Sequence, residues 1–202
     1  NNLSELDLSN NIQLSNLRVG NNNLSELDLS NNLLLYQLYC QNNNITALNL
    51  DGLLSLAYLD CSYNDLTALD VSSNTNLGNF TCINNYLTEI DLTSNINLNY
   101  LNISNYNVSM DDVYNDLNSL DLTNNINLQY LELQNVNLNT LDITNNVNLI
   151  SVVLYDNNLN TLDVSNNLNL NSIDVSLNNL DELDISNLTE LEYLDCAGNN
   201  LS

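Results

Sequence analysis

The chain has 202 residues, and its 25 acidic side chains against a single basic side chain, Arg18, give a net charge of −24. Binding a phosphate backbone requires Lys or Arg, so this composition excludes nucleic acid as a partner and disfavours an anionic membrane surface. Hydrophobic residues make up 44% of the chain, which is enough for a folded core, but their runs are too short for this segment to insert into a membrane.

From the N-terminus onward, the motif Leu-Asp-Leu-Ser recurs at a constant interval, and the step from Asp7 to Asp28 is one period. The second position of the motif is occupied by Asp7, Asp28, Asn49, Asp70, Asp91, Asp121, Asp142, Asp163 and Asp184. Each unit has two halves in which apolar residues alternate with the two-residue spacing of a strand. This pattern predicts a β-rich solenoid of about nine coils over residues 1–202, with parallel strands and little or no α-helix. The chain begins and ends inside a repeat, so we expect a fragment of a longer protein whose caps are missing.

Two kinds of column define the predicted interior. The column at 14, 35, 56, 77, 98, 128, 149, 170 and 191 is Leu in every coil. Each half also carries a column of Asn, exemplified by Asn64 and Asn85 in the first half. We expect these Asn residues to be structural, because an inward amide at a corner can bond backbone groups where strand pairing stops.

Four cysteines share one inward column. Cys40, Cys61 and Cys82 follow one another at intervals of one period, and Cys196 falls in register once the insertion described below is counted. We interpret them as small, reduced core side chains. The alternative, redox chemistry or metal capture, lacks both His residues and the close cysteine spacing of metal sites.

The Asp column raises a question, because like charges across paired strands repel. One interpretation is a hydrated, screened acidic face. The other is that cations bridge successive carboxylates, with nearby hydroxyls completing an oxygen shell suited to Ca²⁺. Under this second interpretation, Ca²⁺ would bind weakly to Asp70, Asp91, Asp121, Asp142 and Asp163. No other cofactor is expected.

The step from Asp91 to Asp121 is longer than one period by nine residues, so an insertion lies between them. We assign the insertion to approximately 109–117 and predict a loop that leaves the solenoid and returns in register. Such a loop is either functional or a neutral bulge.

Outward positions of the first half vary between coils, whereas the Leu-Asp-Leu-Ser half hardly varies. Variation over a constant scaffold is typical of a recognition surface, and Tyr is frequent at binding sites. The alternative is that Tyr simply suits exposed strands. The predicted ligand-binding residues are Tyr39, Tyr58, Tyr100, Tyr130, Glu132, Tyr155, Asp174, Tyr193 and Asp195.

The pattern Leu-x-x-Leu-x-Leu-x-x-Asn-x-Leu, as at Leu56, Leu59, Cys61, Asn64 and Leu66, resembles the leucine-rich-repeat signature. The 21-residue version resembles bacterial surface proteins: internalin-type proteins of Listeria, one of which carries a similar cysteine ladder, and secreted Bacteroidetes repeat proteins. The resemblance implies that the strands of the variable half line a concave binding face, and that the protein is an extracellular or cell-surface adhesin.

We therefore predict a secreted or surface module that binds an extracellular protein or glycan through the Tyr-bearing strands. The main alternative is a structural stalk, coat or fibre segment. Ice binding by the regular Ser and Thr columns is a third possibility. An enzyme is not expected, because the chain has no His and its carboxylates lack a cleft that would shift their pKa values.

Overall fold

The computed structural model describes residues 1–106 and 114–202, which contain eleven short strands. None of the described residues is helical, and so none belongs to a helix that could cross a membrane. The strands are β1 (Asn16–Arg18), β2 (Gln37–Tyr39), β3 (Tyr58–Asp60), β4 (Asn79–Thr81), β5 (Tyr100–Asn102), β6 (Ser119–Leu120), β7 (Tyr130–Glu132), β8 (Thr140–Leu141), β9 (Ser151–Val153), β10 (Ser172–Asp174) and β11 (Tyr193–Asp195).

Nine of these strands form one parallel sheet in the order β1-β2-β3-β4-β5-β7-β9-β10-β11, while β6 and β8 pair in the other half of the coil. Tyr58 pairs with Asn79 one period along the chain, and Tyr100 pairs with Tyr130 across the insertion. The predicted solenoid is therefore confirmed, and the register is kept through the insertion. We call the outward side chains of the nine-stranded sheet the strand face.

The interior is the predicted apolar column. Leu56, Leu98 and Leu149 are each fully buried, as are the middle strand residues Leu38 and Leu131. Each buried Leu contributes about 2 kcal/mol relative to an exposed one. Since a single coil cannot enclose its own Leu residues, this stabilisation arises only when coils stack.

The Asn residues of the strand half join successive coils by hydrogen bonds. The Nδ2 group of Asn64 donates to the carbonyl of Cys40 in the preceding coil at 3.1 Å and to that of Cys61 at 3.0 Å. Its Oδ1 accepts the backbone N–H of Ile45 at 3.0 Å. Asn85 repeats the arrangement, donating to Cys61 at 3.1 Å. Each side chain thus satisfies backbone groups that lie beyond the strand pairing.

The Asn residues of the second half are bonded less completely. The Nδ2 group of Asn74 donates to the carbonyls of Leu50 and Leu53, at 3.2 and 3.0 Å. Its Oδ1 is buried without a hydrogen-bond partner among the described residues. The same holds for Asn32, Asn95, Asn125, Asn146 and Asn167. Leu53 and Leu188 occupy this column in two coils, so the amide is replaceable there.

Position 136 is Val where the strand-half column otherwise has Asn. The backbone N–H of Leu117 donates to the carbonyl of Val136 at 3.0 Å instead of to a side-chain oxygen. The residue that follows, Asn137, has a positive φ angle of 59°, unlike its equivalents in the other coils. A local change of backbone therefore supplies the acceptor that the Val side chain lacks.

One turn position after each strand adopts a left-handed backbone. Residues with positive φ in this column are Asn21, Asn42, Tyr63, Asn84, Asn135, Asp156, Leu177 and Gly198. Asn and Gly tolerate this conformation, whereas a side chain such as that of Leu177 pays a steric cost of about 1 kcal/mol. The abundance of Asn in the chain is explained partly by this turn.

The predicted insertion, 109–117, lies mainly outside the described residues. Asn115 donates to the carbonyl of Cys82 at 2.9 Å and accepts the N–H of Leu87 at 3.0 Å, the bonds of a strand-half Asn. Asn105 keeps the regular backbone bond to Gln134, at 2.9 Å. The nine additional residues therefore fall between Asn105 and Asn115, about three positions earlier than the sequence suggested.

The cysteines lie in one inward column. Cys40, Cys61 and Cys82 are fully buried and Cys196 is partly buried, and all four are free thiols. Burial raises the pKa of the Cys40 thiol, and the hydrogen bond with Cys82 together with burial raises that of Cys61. Neutral, buried thiols are poor nucleophiles, which agrees with a packing role.

Candidate recognition face

The strand face carries eight of the nine predicted binding residues at its outward positions, and the ninth, Tyr155, follows the end of β9 by two residues. Tyr130, Tyr155 and Tyr193 are exposed by 40%, 37% and 52%. The others are half-buried by their neighbours along the sheet: Tyr39, Tyr58, Tyr100, Glu132, Asp174 and Asp195. All nine side chains therefore lie on one side of the molecule, spread along the stacked coils.

The N-terminal part of this face is aromatic. The guanidinium of Arg18 lies over the ring of Tyr39, 4.5 Å from its centroid. Tyr36 and Tyr58 meet edge to face, with their ring centroids 5.5 Å apart. These contacts hold the rings in fixed positions. They also engage Arg18, which is the only basic side chain of the protein.

At the centre of the face, three side chains donate hydrogen bonds to the carboxylate of Glu132. The hydroxyl of Tyr100 donates to Oε1 at 2.9 Å. The hydroxyl of Tyr106 and the Nδ2 group of Asn102 donate to Oε2 at 2.7 and 2.8 Å. Gln134 in turn donates to the Tyr106 hydroxyl at 3.4 Å. We call these five residues the glutamate cluster.

Both phenols of the cluster remain protonated at neutral pH. Burial raises the pKa of Tyr100 to about 12, and the negative charge of Glu132 acts in the same direction, against a hydrogen bond from Asn102. Burial likewise raises the pKa of Tyr106. Hydrogen bonds to a carboxylate are stronger than those between neutral groups, so the cluster fixes the rotamers of its members before any ligand arrives.

The sequence identified Tyr100 and Glu132 but not the rest of the cluster. Asn102 sits at an outward strand position, yet only 3% of its surface is exposed because Tyr106 covers it. Tyr106 directly follows the last in-register residue before the insertion. Its backbone N–H and carbonyl are held by the side chain of Asn84, at 2.7 and 2.8 Å. In the sequence, the position of Tyr106 at the border of the insertion was the feature that could have indicated its place in the cluster.

The acidic residues of the last two strands, Asp174 and Asp195, also accept hydrogen bonds that stabilise turns. Asp174 accepts the N–H of Ser176 at 3.0 Å and its hydroxyl at 2.6 Å, and Asp195 accepts the N–H of Ala197 at 3.0 Å. One carboxylate oxygen of each is therefore engaged in a turn, and the other accepts no hydrogen bond from the described part of the chain.

The Asp column of the opposite half forms the same kind of turn. Each Oδ1 accepts the backbone N–H two residues later, as from Thr123 to Asp121 at 2.9 Å. Asn49 does the same for Asp51 at 2.9 Å, so the turn needs the oxygen rather than the charge. Among the described residues, no group of three or more acidic or cysteine side chains could hold a metal ion. The calcium hypothesis thus stays a prediction.

The short coils with inward Leu and Asn columns define a leucine-rich-repeat solenoid. No protein-family model and no curated protein matches the chain. Among solved structures, the functional domain of InlJ from Listeria monocytogenes, which includes a cysteine ladder, is 35% identical with a TM-score of 0.89 over 96% of this chain. Internalin InlF of L. monocytogenes is 26% identical with a TM-score of 0.84, covering 97% of this chain and 58% of its own.

A leucine-rich-repeat protein of Leptospira interrogans has the same fold, with 23% identity, a TM-score of 0.84, and coverage of 98% of this chain and 53% of its own. The chain spans 41% of the InlJ chain. Its structural neighbours thus include bacterial repeat proteins of the internalin type.

Proposed function

We propose that this chain is a secreted or cell-surface recognition module that binds an extracellular protein through the strand face. The observation that carries the proposal is the glutamate cluster, a fixed carboxylate surrounded by aromatic side chains at the centre of that face. The likeness of the chain to internalin-type proteins supports both the recognition role and display outside the cell.

Fixed aromatic side chains favour binding because little conformational entropy is lost when they contact a partner. The ring of Tyr130 stands beside that of Tyr100, with centroids 6.5 Å apart, and is 40% exposed. Tyr58 is held by Tyr36 in the same manner. Tyr side chains offer a large apolar surface together with a hydroxyl, which is why they recur as anchors in interfaces.

The charge of the face indicates the partner's chemistry. Asp60, Glu132, Asp174 and Asp195 lie on it, whereas Arg18, which stacks on the Tyr39 ring, is its single basic side chain. With a net charge of −24, the chain attracts basic surfaces and repels acidic ones. We therefore expect a protein partner with exposed Lys or Arg residues. Binding should weaken as NaCl concentration rises.

The test is capture by arrays of purified extracellular proteins and of glycans. A face variant (Tyr58→Ala, Tyr100→Ala, Tyr130→Ala) is compared with a control variant that truncates three exposed residues of the opposite half (Thr46→Ala, Thr67→Ala, Thr88→Ala). Wild type and control should capture the same basic proteins, and the face variant should lose them while keeping its circular dichroism spectrum.

Three outcomes would contradict the proposal. If the face variant captures the same proteins as wild type, the strand face is not the recognition surface. If only glycans are captured, the partner class is wrong. If wild type captures nothing on either array, the structural stalk becomes the better account. Surface display is tested separately, by antibody labelling of intact cells of the source organism.

A further inference from the structure

A row of exposed aliphatic side chains runs along the solenoid at one turn position. We call it the apolar stripe. Its members are 46–60% exposed. They are Ile12, Leu33, Leu54, Ile96, Ile126, Val147 and Leu168. Each stands between the column of inward Asn residues and the invariant core Leu, so the row lies along one edge of the strand face. Thr75 divides the row into runs of three and four residues, and each run forms a larger contiguous apolar surface than scattered residues do.

The fold does not require an apolar residue at this position. Thr75 and Thr189 occupy it in two coils. In the coil with Thr75, Leu77 donates its N–H to the carbonyl of Asn74 at 3.0 Å, and in the coil with Ile96 the equivalent bond from Leu98 to Asn95 is 3.1 Å. The turn geometry is the same with either residue. The aliphatic residues therefore need an explanation other than folding.

The surroundings of the stripe are rigid and uncharged. The Asn residue after each of several stripe positions donates to a carbonyl of the preceding coil, as from Asn97 to Thr75 at 2.9 Å and from Asn148 to Ile126 at 2.9 Å. Residues 10–13 and their equivalents in the eight later coils include one charged residue, Glu190. In a chain with 25 acids, such a neutral band is a surface that a second acidic protein can approach.

We propose that two copies of this chain associate side by side along the apolar stripe, in antiparallel orientation about a two-fold axis. The stripe has one side chain per coil, at a spacing of about 5 Å. A second copy presents the same spacing, so the side chains of a run in one stripe fit between those of a run in the other. A symmetric pairing of identical patches is also the commonest form of self-association.

The same features limit the strength of the pair. The exposed halves of seven aliphatic side chains amount to roughly 400 Å² of apolar surface per copy, about half of what a standard interface buries on each side. The two negative charges also repel at long range. We therefore expect a weak dimer, observable at a protein concentration on the order of 0.1 mM. Since salt screens the repulsion between the two copies, higher ionic strength should strengthen the dimer.

Sedimentation equilibrium tests the proposal at 50 and 500 mM NaCl. The stripe variant is Ile96→Thr, Ile126→Thr, Val147→Thr, which introduces the residue that two coils already carry. The matched control is Thr46→Val, Thr67→Val, Thr88→Val, which adds apolar surface on the opposite half. We expect wild type and control to dimerise more tightly at 500 mM NaCl. The stripe variant should show at least a tenfold higher dissociation constant.

A wild-type protein that stays monomeric at 0.5 mM and 500 mM NaCl would overturn the proposal, as would a stripe variant that dimerises like wild type. Circular dichroism of each variant verifies that the solenoid is folded. Because the face variant used above leaves the stripe unchanged, loss of dimerisation and loss of partner capture are separate results.

Discussion

Replacing Asn by Leu at two matched positions, Asn64 and Asn74, tests how the solenoid is joined between coils. Leu is nearly isosteric with Asn, so the substitution removes the polar groups and keeps the shape. Both side chains are buried, at 5% and 0% exposure. They differ in what they bond: Asn64 accepts a backbone N–H through Oδ1, whereas the Oδ1 of Asn74 is without a partner among the described residues.

For Asn64→Leu, the N–H of Ile45 is left buried without its acceptor, which costs about 1–3 kcal/mol. The carbonyls of Cys40 and Cys61 each lose one donor and keep another, from Asn43 at 3.0 Å and from Asn85 at 3.1 Å. These two lost bonds add about 1 kcal/mol each. The free energy of unfolding should therefore fall by about 3–5 kcal/mol.

For Asn74→Leu, no donor loses its acceptor. The carbonyl of Leu50 still accepts the N–H of Leu53 at 3.2 Å, and the carbonyl of Leu53 that of Leu56 at 3.0 Å. The substitution also removes an unsatisfied buried oxygen. We expect a loss of about 1 kcal/mol or less.

Urea denaturation followed by circular dichroism measures both variants. The predicted difference between them is at least about 2 kcal/mol. Equal losses for the two variants would refute the reasoning, because they would mean that the accepted N–H of Ile45 is not the distinguishing interaction.

Four further predictions concern other parts of the chain. Leu177→Asn should raise the free energy of unfolding by about 1 kcal/mol, because φ at this position is 51° and Asn tolerates it; an unchanged urea midpoint would argue against strain. Cys61 should not react with a thiol reagent until the protein unfolds, since burial and its hydrogen bond raise its pKa. The hydrogen bonds from Thr123 lower the pKa of Asp121 in the folded protein. Ionised Asp121 therefore stabilises the fold fully above about pH 4, and this stabilisation is lost as pH falls below that value. Denaturation midpoints should accordingly be lower at pH 3 than at pH 6. If calcium bridges Asp121 and Asp142, millimolar Ca²⁺ should raise the melting temperature modestly at matched ionic strength, and identical melting in EDTA would end that hypothesis.

The sequence was sufficient to predict the solenoid and its interior. A strict period repeated over nine coils leaves little freedom, since the column of Leu56, Leu98 and Leu149 can be buried only by stacking. The inward Asn and Cys columns followed from the same register. The insertion was displaced by about three positions, because the Asn115 that ends it resembles the many Asn residues of the turns.

The glutamate cluster was only partly predictable. Tyr100 and Glu132 belong to repeat columns, so comparison of coils revealed them. Tyr106 belongs to no column, and its contact with Glu132 depends on the path of the chain where the register is interrupted. The apolar stripe was missed for a different reason: an aliphatic residue next to a core Leu is easily counted as core, and only its exposure distinguishes it.

The most direct test of the recognition role is the affinity of the strongest captured protein for two variants that each remove one negative charge. Glu132→Gln alters the cluster, and Asp163→Asn makes the substitution that Asn49 already represents in its column. Surface plasmon resonance should give at least a tenfold higher dissociation constant for Glu132→Gln, about 1.4 kcal/mol, and little change for Asp163→Asn. Equal effects of the two variants would contradict a binding site on the strand face.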